Sequence, residues 1–185
     1  DSMEQAKACL EQSYSISDGL HHLNVKCLAL DKLIEVEEQL APYKALEYAK
    51  ALVKMYDSMP NVSIYNKVAA RLRLGENFFY VDSLQHALEE ERKAYRMAMK
   101  AGDSNLLSYV RQNLASTFEE MGEKDSCLYY ARQAYDLTAA NRFSCLLTLA
   151  SAYISVDSIN QAFRLLKQTT PKTAEDRYSV FYIQS

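Results

Sequence analysis

The chain is 185 residues long, 49% hydrophobic and 24% charged, with only 4 Gly, 3 Pro and no Trp; so few breakers predict long helices joined by short loops. Its formal net charge of −3 is spread along the sequence, which excludes the basic stripe that nucleic-acid backbones require. No apolar run approaches the roughly 18 residues of a membrane span, and no signal peptide is visible.

Ser2 to Tyr14 carries Ala6, Leu10 and Tyr14 one turn apart, an amphipathic helix ending near Ser17-Asp18-Gly19. It reads as the second helix of a hairpin whose first helix is missing. Leu23 to Gln39 follows, with Leu30, Leu33 and Ile34, up to the break at Ala41-Pro42. Tyr43 to Asp57 places Ala45, Tyr48, Ala49 and Leu52 on one side and stops at Met59-Pro60-Asn61.

Val62 to Val81 predicts a longer helix containing Leu74-Gly75-Glu76-Asn77-Phe78. A glycine inside a helix costs about 1 kcal/mol relative to alanine, so Gly75 predicts close approach of a neighbouring helix. That partner is expected at Ser83 to Ala101, with Ala87, Leu88, Ala94 and Tyr95 inward. Gly102-Asp103-Ser104 makes the next turn, and Asp103 or Ser104 is suited to cap the following helix.

Ser108 to Asn141 reads as one complete helix–turn–helix. Leu114 and Phe118 stand one turn apart with Ala115 beside them, and Gly122 ends the helix. Its second half, Cys127 to Thr138, sets small Cys127, Ala131 and Ala134 on one stripe, which lets two helices approach closely. Phe143 to Val156 and Ile159 to Thr169 are the next pair, closed by Pro171. Glu175 to Ser185, with Tyr178, Phe181 and Tyr182, begins another helix.

Three segments share one signature: Leu74-Gly75-x-x-Phe78, Leu114-Ala115-x-x-Phe118 and Leu149-Ala150-x-x-Tyr153. Downstream come Ala87 with Ala94, Cys127 with Ala134, and Ala162 with Thr169. The connectors Val81-Asp82-Ser83 and Val156-Asp157-Ser158 are identical. The intervals are 114 − 74 = 40 and 149 − 114 = 35 residues. A large aliphatic, a small residue and an aromatic one turn on, at periods near 34 residues, resemble the tetratricopeptide repeat family. A plain helical bundle has no need of such recurrence.

The resemblance implies an all-α fold, a right-handed α-α superhelix of about nine helices forming one domain over residues 1–185. Its clear repeats fall at about 68–101, 108–141 and 143–176, with a degenerate helix pair at about 24–58 and partial units at both ends, as in a piece of a longer protein. No unit has the family's early Trp; Arg71 and Arg111 stand in its place. The irregular repeats also resemble, more distantly, the sensor regions of Bacteroidetes-type regulators.

His21-His22 is the one histidine cluster, but neighbouring helical residues point about 100° apart and cannot chelate one metal. His86 lacks a nucleophile turn beside it and reads as an exposed polar residue. The acidic runs Glu35 to Glu38 and Glu89 to Glu91 read as solvated faces, with Glu89 pairing to Lys93. Four cysteines without CxxC spacing or adjacent His read as small buried thiols, not zinc ligands. No nucleotide-binding glycine motif occurs, so neither an enzyme nor a cofactor is expected.

The family resemblance implies a concave groove lined by the first helix of each unit. Carried over, its lining is Leu72, Glu76, Phe79 and Tyr80, then Tyr109, Gln112, Asn113, Ser116, Glu119 and Glu120, then Leu147, Ser151 and Ile154. This mixture of aromatics, amides and carboxylates suits an extended peptide or a partner helix. Some relatives clamp a C-terminal carboxylate there. Asn113 matches that set, but Leu72, Glu76, Gln112 and Ser116 replace its Lys and Arg positions, so no clamp is expected. The implied function is a protein-interaction scaffold, with the sensor or oligomerisation part of a larger bacterial signalling protein as the alternative. Self-association through the solenoid ends is also expected. Since the sequence starts at Asp1 without Met, the compartment stays open between cytoplasm and, after removal of a leader, periplasm or membrane anchorage.

Overall fold

The computed structural model describes residues 2–20, 22–137 and 142–167, together with Thr173, Arg177 and Val180. Expectations for His21, Thr138, Asn141, Thr169, Pro171, Tyr178, Phe181 and Tyr182 lie outside the described residues. Those described form helices and no strand. Contacts gather into two compact units, Asp1–Ala94 and Tyr95–Ser185.

The first unit holds α1 (Ser2–Gly19), α2 (Leu23–Leu40), α3 (Pro42–Ser58), α4 (Ile64–Tyr80) and the beginning of α5 (Leu84–Ala101). Each of α1, α2 and α3 packs on the next helix in sequence. Pro42 occupies the first turn of α3, where its missing N–H costs nothing. Ser63 starts α4, its Oγ accepting from the Asn66 N–H at 3.1 Å, which is why the helix begins two residues later than the apolar pattern suggests. Leu30, Ile34, Ala45, Ala49, Leu52 and Leu74 form one apolar cluster across α2, α3 and α4.

Gly75 faces α5. A Cβ added there would lie 3.1 Å from Glu91 Cγ and 3.4 Å from the Ala87 carbonyl oxygen, so the close approach expected of this glycine is present. The same contact overturns the reading of Glu89 to Glu91 as a solvated face. Glu91 is buried against Gly75, and Glu90 is held by Arg71 at 2.9 Å and Lys93 at 2.5 Å; only Glu89 is exposed. Glu37 corrects the other acidic run, being fully buried between Lys44 at 2.8 Å and Lys7 at 3.1 Å. Arg71 also reaches Asp57 at 2.6 Å, so a charged side chain joins α3, α4 and α5 where the repeat pattern would place an indole.

The second unit holds the end of α5, then α6 (Ser104–Glu120), α7 (Lys124–Leu137), α8 (Arg142–Ser155) and α9 (Ile159–Lys167). Asp103 caps α6 by accepting from the Leu106 N–H at 2.9 Å. The small stripe of α7 is buried without remainder at Cys127, Ala131 and Ala134. It lies close enough to α6 for Ser108 Oγ to donate to the Ala134 carbonyl at 2.8 Å. Arg111 lies over the Tyr95 ring at 5.6 Å, a cation–π contact in the second position where Trp is missing. Phe118 stacks on Tyr130 at 5.5 Å between centroids.

The three signatures share a turn as well as a sequence. Asp82 (φ 58°), Gly122 (φ 75°) and Asp157 (φ 58°) are left-handed, and 82 − 74, 122 − 114 and 157 − 149 are all 8. In each the next N–H returns to the carbonyl of the signature aromatic: Ser83 to Phe78, Glu123 to Phe118 and Ser158 to Tyr153, at 2.8 to 2.9 Å. The left-handed residue's own N–H donates to the carbonyl one residue further on, at Phe79, Glu119 and Ile154, each at 3.0 Å, and these paired bonds satisfy helix-end carbonyls in the manner of a Schellman cap. Among the cysteines, Cys27, Cys127 and Cys145 are buried as expected, whereas Cys9 is exposed.

Candidate functional site

In the first unit the sequence-predicted residues lie where α4 meets α2. Arg73, Glu76 and Tyr80 follow one another at helical spacing on α4, and Asp31, Glu35 and Glu38 do so on α2. The Arg73 guanidinium donates to Glu35 at 3.2 Å and stands 3.7 Å from Asp31, 3.7 Å from Glu38 and 3.9 Å from Glu76. One cation is thus spread over four carboxylates, with a single contact of hydrogen-bond length. Lys32 is the other cation of this face and also pairs with Glu35, at 2.8 Å.

The electrostatics follow from that imbalance. Burial opposes the charged form of Arg73, yet Glu76, Asp31, Glu38 and Glu35 outweigh it and raise the pKa. Burial raises the Glu76 carboxyl, Arg73 lowers it, and the charges of Glu38 and Asp31 raise it further. Tyr80 is raised by partial burial and by the charges of Glu38 and Glu76, against a lowering by Arg73. Asn77, 1% exposed, donates from Nδ2 to Glu38 Oε1 at 2.9 Å and to the Arg73 carbonyl at 2.8 Å. Its buried Oδ1 has no protein donor.

Phe79 is half-buried and meets Tyr80 edge-on at 6.2 Å, and Tyr80 is 57% exposed. Leu72 must be removed from the surface set, because it is 1% exposed and part of the interior. Arg73 was not among the residues expected from sequence. Its signal was available: a cation one turn from Glu76, with acids at matching spacing on another helix.

In the second unit α6 lies against α8. Gln112 spans the gap, its Nε2 donating to Ser144 Oγ and to Thr148 Oγ1, the latter at 3.3 Å. Further along, Ser151 Oγ donates to Glu119 Oε1. Asn113 donates to the Tyr109 carbonyl at 3.1 Å and Ser116 to the Gln112 carbonyl at 3.3 Å, each back along its own helix. Tyr109 and Ile154 are exposed, as are Ser116, Glu119 and Glu120. Leu147 packs against the apolar cluster of Leu146, Ala150, Ala162 and Leu166, so it too is largely a packing residue. Ser144 and Thr148 escaped the sequence reading because small hydroxyls carry no pattern of their own.

The two faces differ chemically. The first is charged and carries an exposed phenol; the second is hydroxyl- and amide-rich, with Glu119 and Glu120 at one end of α6. Burial pushes the Cys127 thiol beneath the latter face up to about 12, with Glu119 adding to the effect. Among the described residues no group of three or more His, Cys, Asp or Glu could hold a metal ion, and no helix is long and apolar enough to cross a membrane. A shallow groove of about 400 Å³ between α1 and α2, lined by Cys9, Ile16, Leu20 and Val25 among others, includes none of the sequence-predicted residues.

No family model matches the chain, and no curated protein does. Solved structures do match. BtubC (BKLC) from P. vanneervenii superposes with a TM-score of 0.79 at 14% identity, over 99% of this chain and 83% of that one. A kinesin light chain protein of Podosopora anserina with nearly identical TPR-like repeats gives 0.72 at 16% identity, over 98% and 87%. A signal-transduction ATPase with numerous domains and a tetratricopeptide repeat sensor, from Pyrococcus horikoshii, gives 0.62 at 14% identity, over 88% of this chain and 30% of that one.

Proposed function

The chain has the tetratricopeptide-repeat fold, an all-α helical repeat, and on that premise we propose that it is a non-catalytic interaction scaffold. It binds an extended polypeptide segment or a partner helix on the face presented by α4 in the first unit or on that presented by α6 and α8 in the second. What supports this reading is the pairing of alternate helices within each unit. Arg73 and Asn77 tie α4 to α2, and Gln112 and Ser151 tie α6 to α8. Alternate helices in contact present side chains from successive hairpins side by side, the arrangement by which repeat proteins build extended binding surfaces. Tyr80 and Tyr109 are the aromatic anchors of these faces, with Phe79 behind the first and Ile154 at the far end of α8.

The test is capture of partners from the source cell by the intact chain and by a Phe79→Ala, Tyr80→Ala, Tyr109→Ala variant of unchanged far-UV helicity. A partner held only by the intact chain supports the reading and names the ligand. Equal recovery by both forms overturns these anchors.

The second reading, a sensor or oligomerisation region of a larger signalling protein, is favoured by the likeness to the repeat sensor of the Pyrococcus horikoshii ATPase. It expects an output domain encoded beyond Ser185. A stop codon directly after Ser185 removes it.

A further inference from the structure

We propose that the α2–α4 face takes a cationic segment, docking a partner's Arg or Lys between Glu76, Glu38 and the ring of Tyr80. The inference rests on the docking reading above and names its partner's chemistry.

Three observations carry it. The first is charge. Asp31, Glu35, Glu38 and Glu76 share Arg73 and Lys32, leaving two carboxylates in excess, and only Glu35 receives a contact of hydrogen-bond length from Arg73. Glu38 and Glu76 keep 17% and 26% of their side-chain surface exposed, enough to accept from an incoming donor. A guanidinium or ammonium there would gain charge-assisted hydrogen bonds and relieve the mutual repulsion of these acids.

The second is Asn77. This residue is 1% exposed; its Nδ2 holds Glu38 and the Arg73 carbonyl, and its buried Oδ1 lacks a protein donor. Buried acceptors are paired as a rule, so an orphan beneath a surplus of carboxylates marks a place short of donors. The third is Tyr80, whose exposed ring lies in the field of Glu38 and Glu76. An aromatic face beside carboxylates is suited to a cation, which binds the ring quadrupole and the acids together. Charge complementarity therefore selects a cationic occupant over an acidic or purely apolar one.

Fluorescence anisotropy with three labelled extended peptides tests the proposal: an arginine–serine–glycine repeat and its glutamate and alanine analogues. The arginine peptide is expected to bind well above the others. Glu76→Gln and Glu38→Gln should each weaken it about tenfold, the scale of one lost charge-assisted bond, and Tyr80→Ala should weaken it too. Glu89→Gln, an exposed acid on α5, should change nothing. Because Glu38 also holds buried Asn77, Glu76→Gln with native helicity and melting temperature is the deciding variant. Arginine-peptide binding no stronger than alanine-peptide binding, or binding indifferent to Glu76→Gln, overturns the proposal. So does a melting temperature raised by calcium alone and lost in Glu76→Gln, which would assign the face to a metal. If the cationic proposal alone fails, the triple aromatic variant still loses its cellular partner; if the docking reading fails, it does not.

Discussion

Lys44 Nζ lies 2.8 Å from Oε1 of Glu37, a carboxylate with no exposed surface, and Lys7 reaches the same oxygen from α1 at 3.1 Å. The three residues belong to three consecutive helices, so one buried charge fixes how α1, α2 and α3 meet. Removing a partner leaves that charge half-neutralised. Lys44→Met is expected to destabilise the chain by about 1 to 3 kcal/mol, read as a lower urea midpoint. An unchanged midpoint would mean that Lys7 alone suffices.

The same contact sets a pH dependence. Burial raises the Glu37 carboxyl, but the hydrogen bonds from Lys44 and Lys7 outweigh it and hold the pKa below the ordinary value. A depressed folded pKa gives stability that is complete above the unfolded value, about 4.3, and is lost as pH falls through the lower folded one. Melting temperature should therefore fall more steeply below about pH 4.3 in the wild type than in Glu37→Gln. Parallel curves would place the acid sensitivity elsewhere.

Gly75 separates propensity from space. Alanine there gains about 1 kcal/mol of helix propensity, but its Cβ meets Glu91 Cγ at 3.1 Å and the Ala87 carbonyl at 3.4 Å. The two effects should nearly cancel in Gly75→Ala. Gly75→Val adds volume that the buried Glu91 cannot yield to, and a loss of about 1 to 3 kcal/mol is expected. Urea unfolding of both variants checks the pair, and a stabilised valine variant would refute the close helix contact.

Thiol accessibility gives a direct count. The thiolate is the reactive form, and burial raises Cys27, Cys127 and Cys145 while Cys9 is exposed. Ellman's reagent at mildly alkaline pH should titrate one thiol per native chain, and all four Cys of the sequence in guanidinium. Cys9→Ser should abolish the native signal. Rapid reaction of Cys127 would contradict the tight α6–α7 contact.

Much of this was legible in the sequence because the repeat signature ties local pattern to packing. Leu74, Leu114 and Leu149 with Gly75, Ala115 and Ala150 had to be interior, and they are. What the pattern hid was the fate of polar residues. Glu37 and Glu91 look like solvated acids until their long-range partners and neighbours are known, since nothing local distinguishes a buried glutamate from an exposed one. Leu72 misled in the opposite sense: a family position that faces a groove elsewhere is here filled by an aliphatic side chain, and the hydrophobic effect draws it inward. Ser144 and Thr148 were invisible because their shared partner, Gln112, lies on another helix.

The left-handed turn recurs at Asp82, Gly122 and Asp157 with the same pair of backbone bonds, whether the residue is an aspartate or a glycine. Because the closure is made by main chain alone, it asks of the sequence little beyond one residue that tolerates the left-handed conformation. Each hairpin is thereby a cassette whose boundary survives drift in sequence. A gene encoding such cassettes can gain or shed one by unequal crossover and still specify a foldable product, so the array's length is free to evolve separately from the identity of whatever its surface recognises.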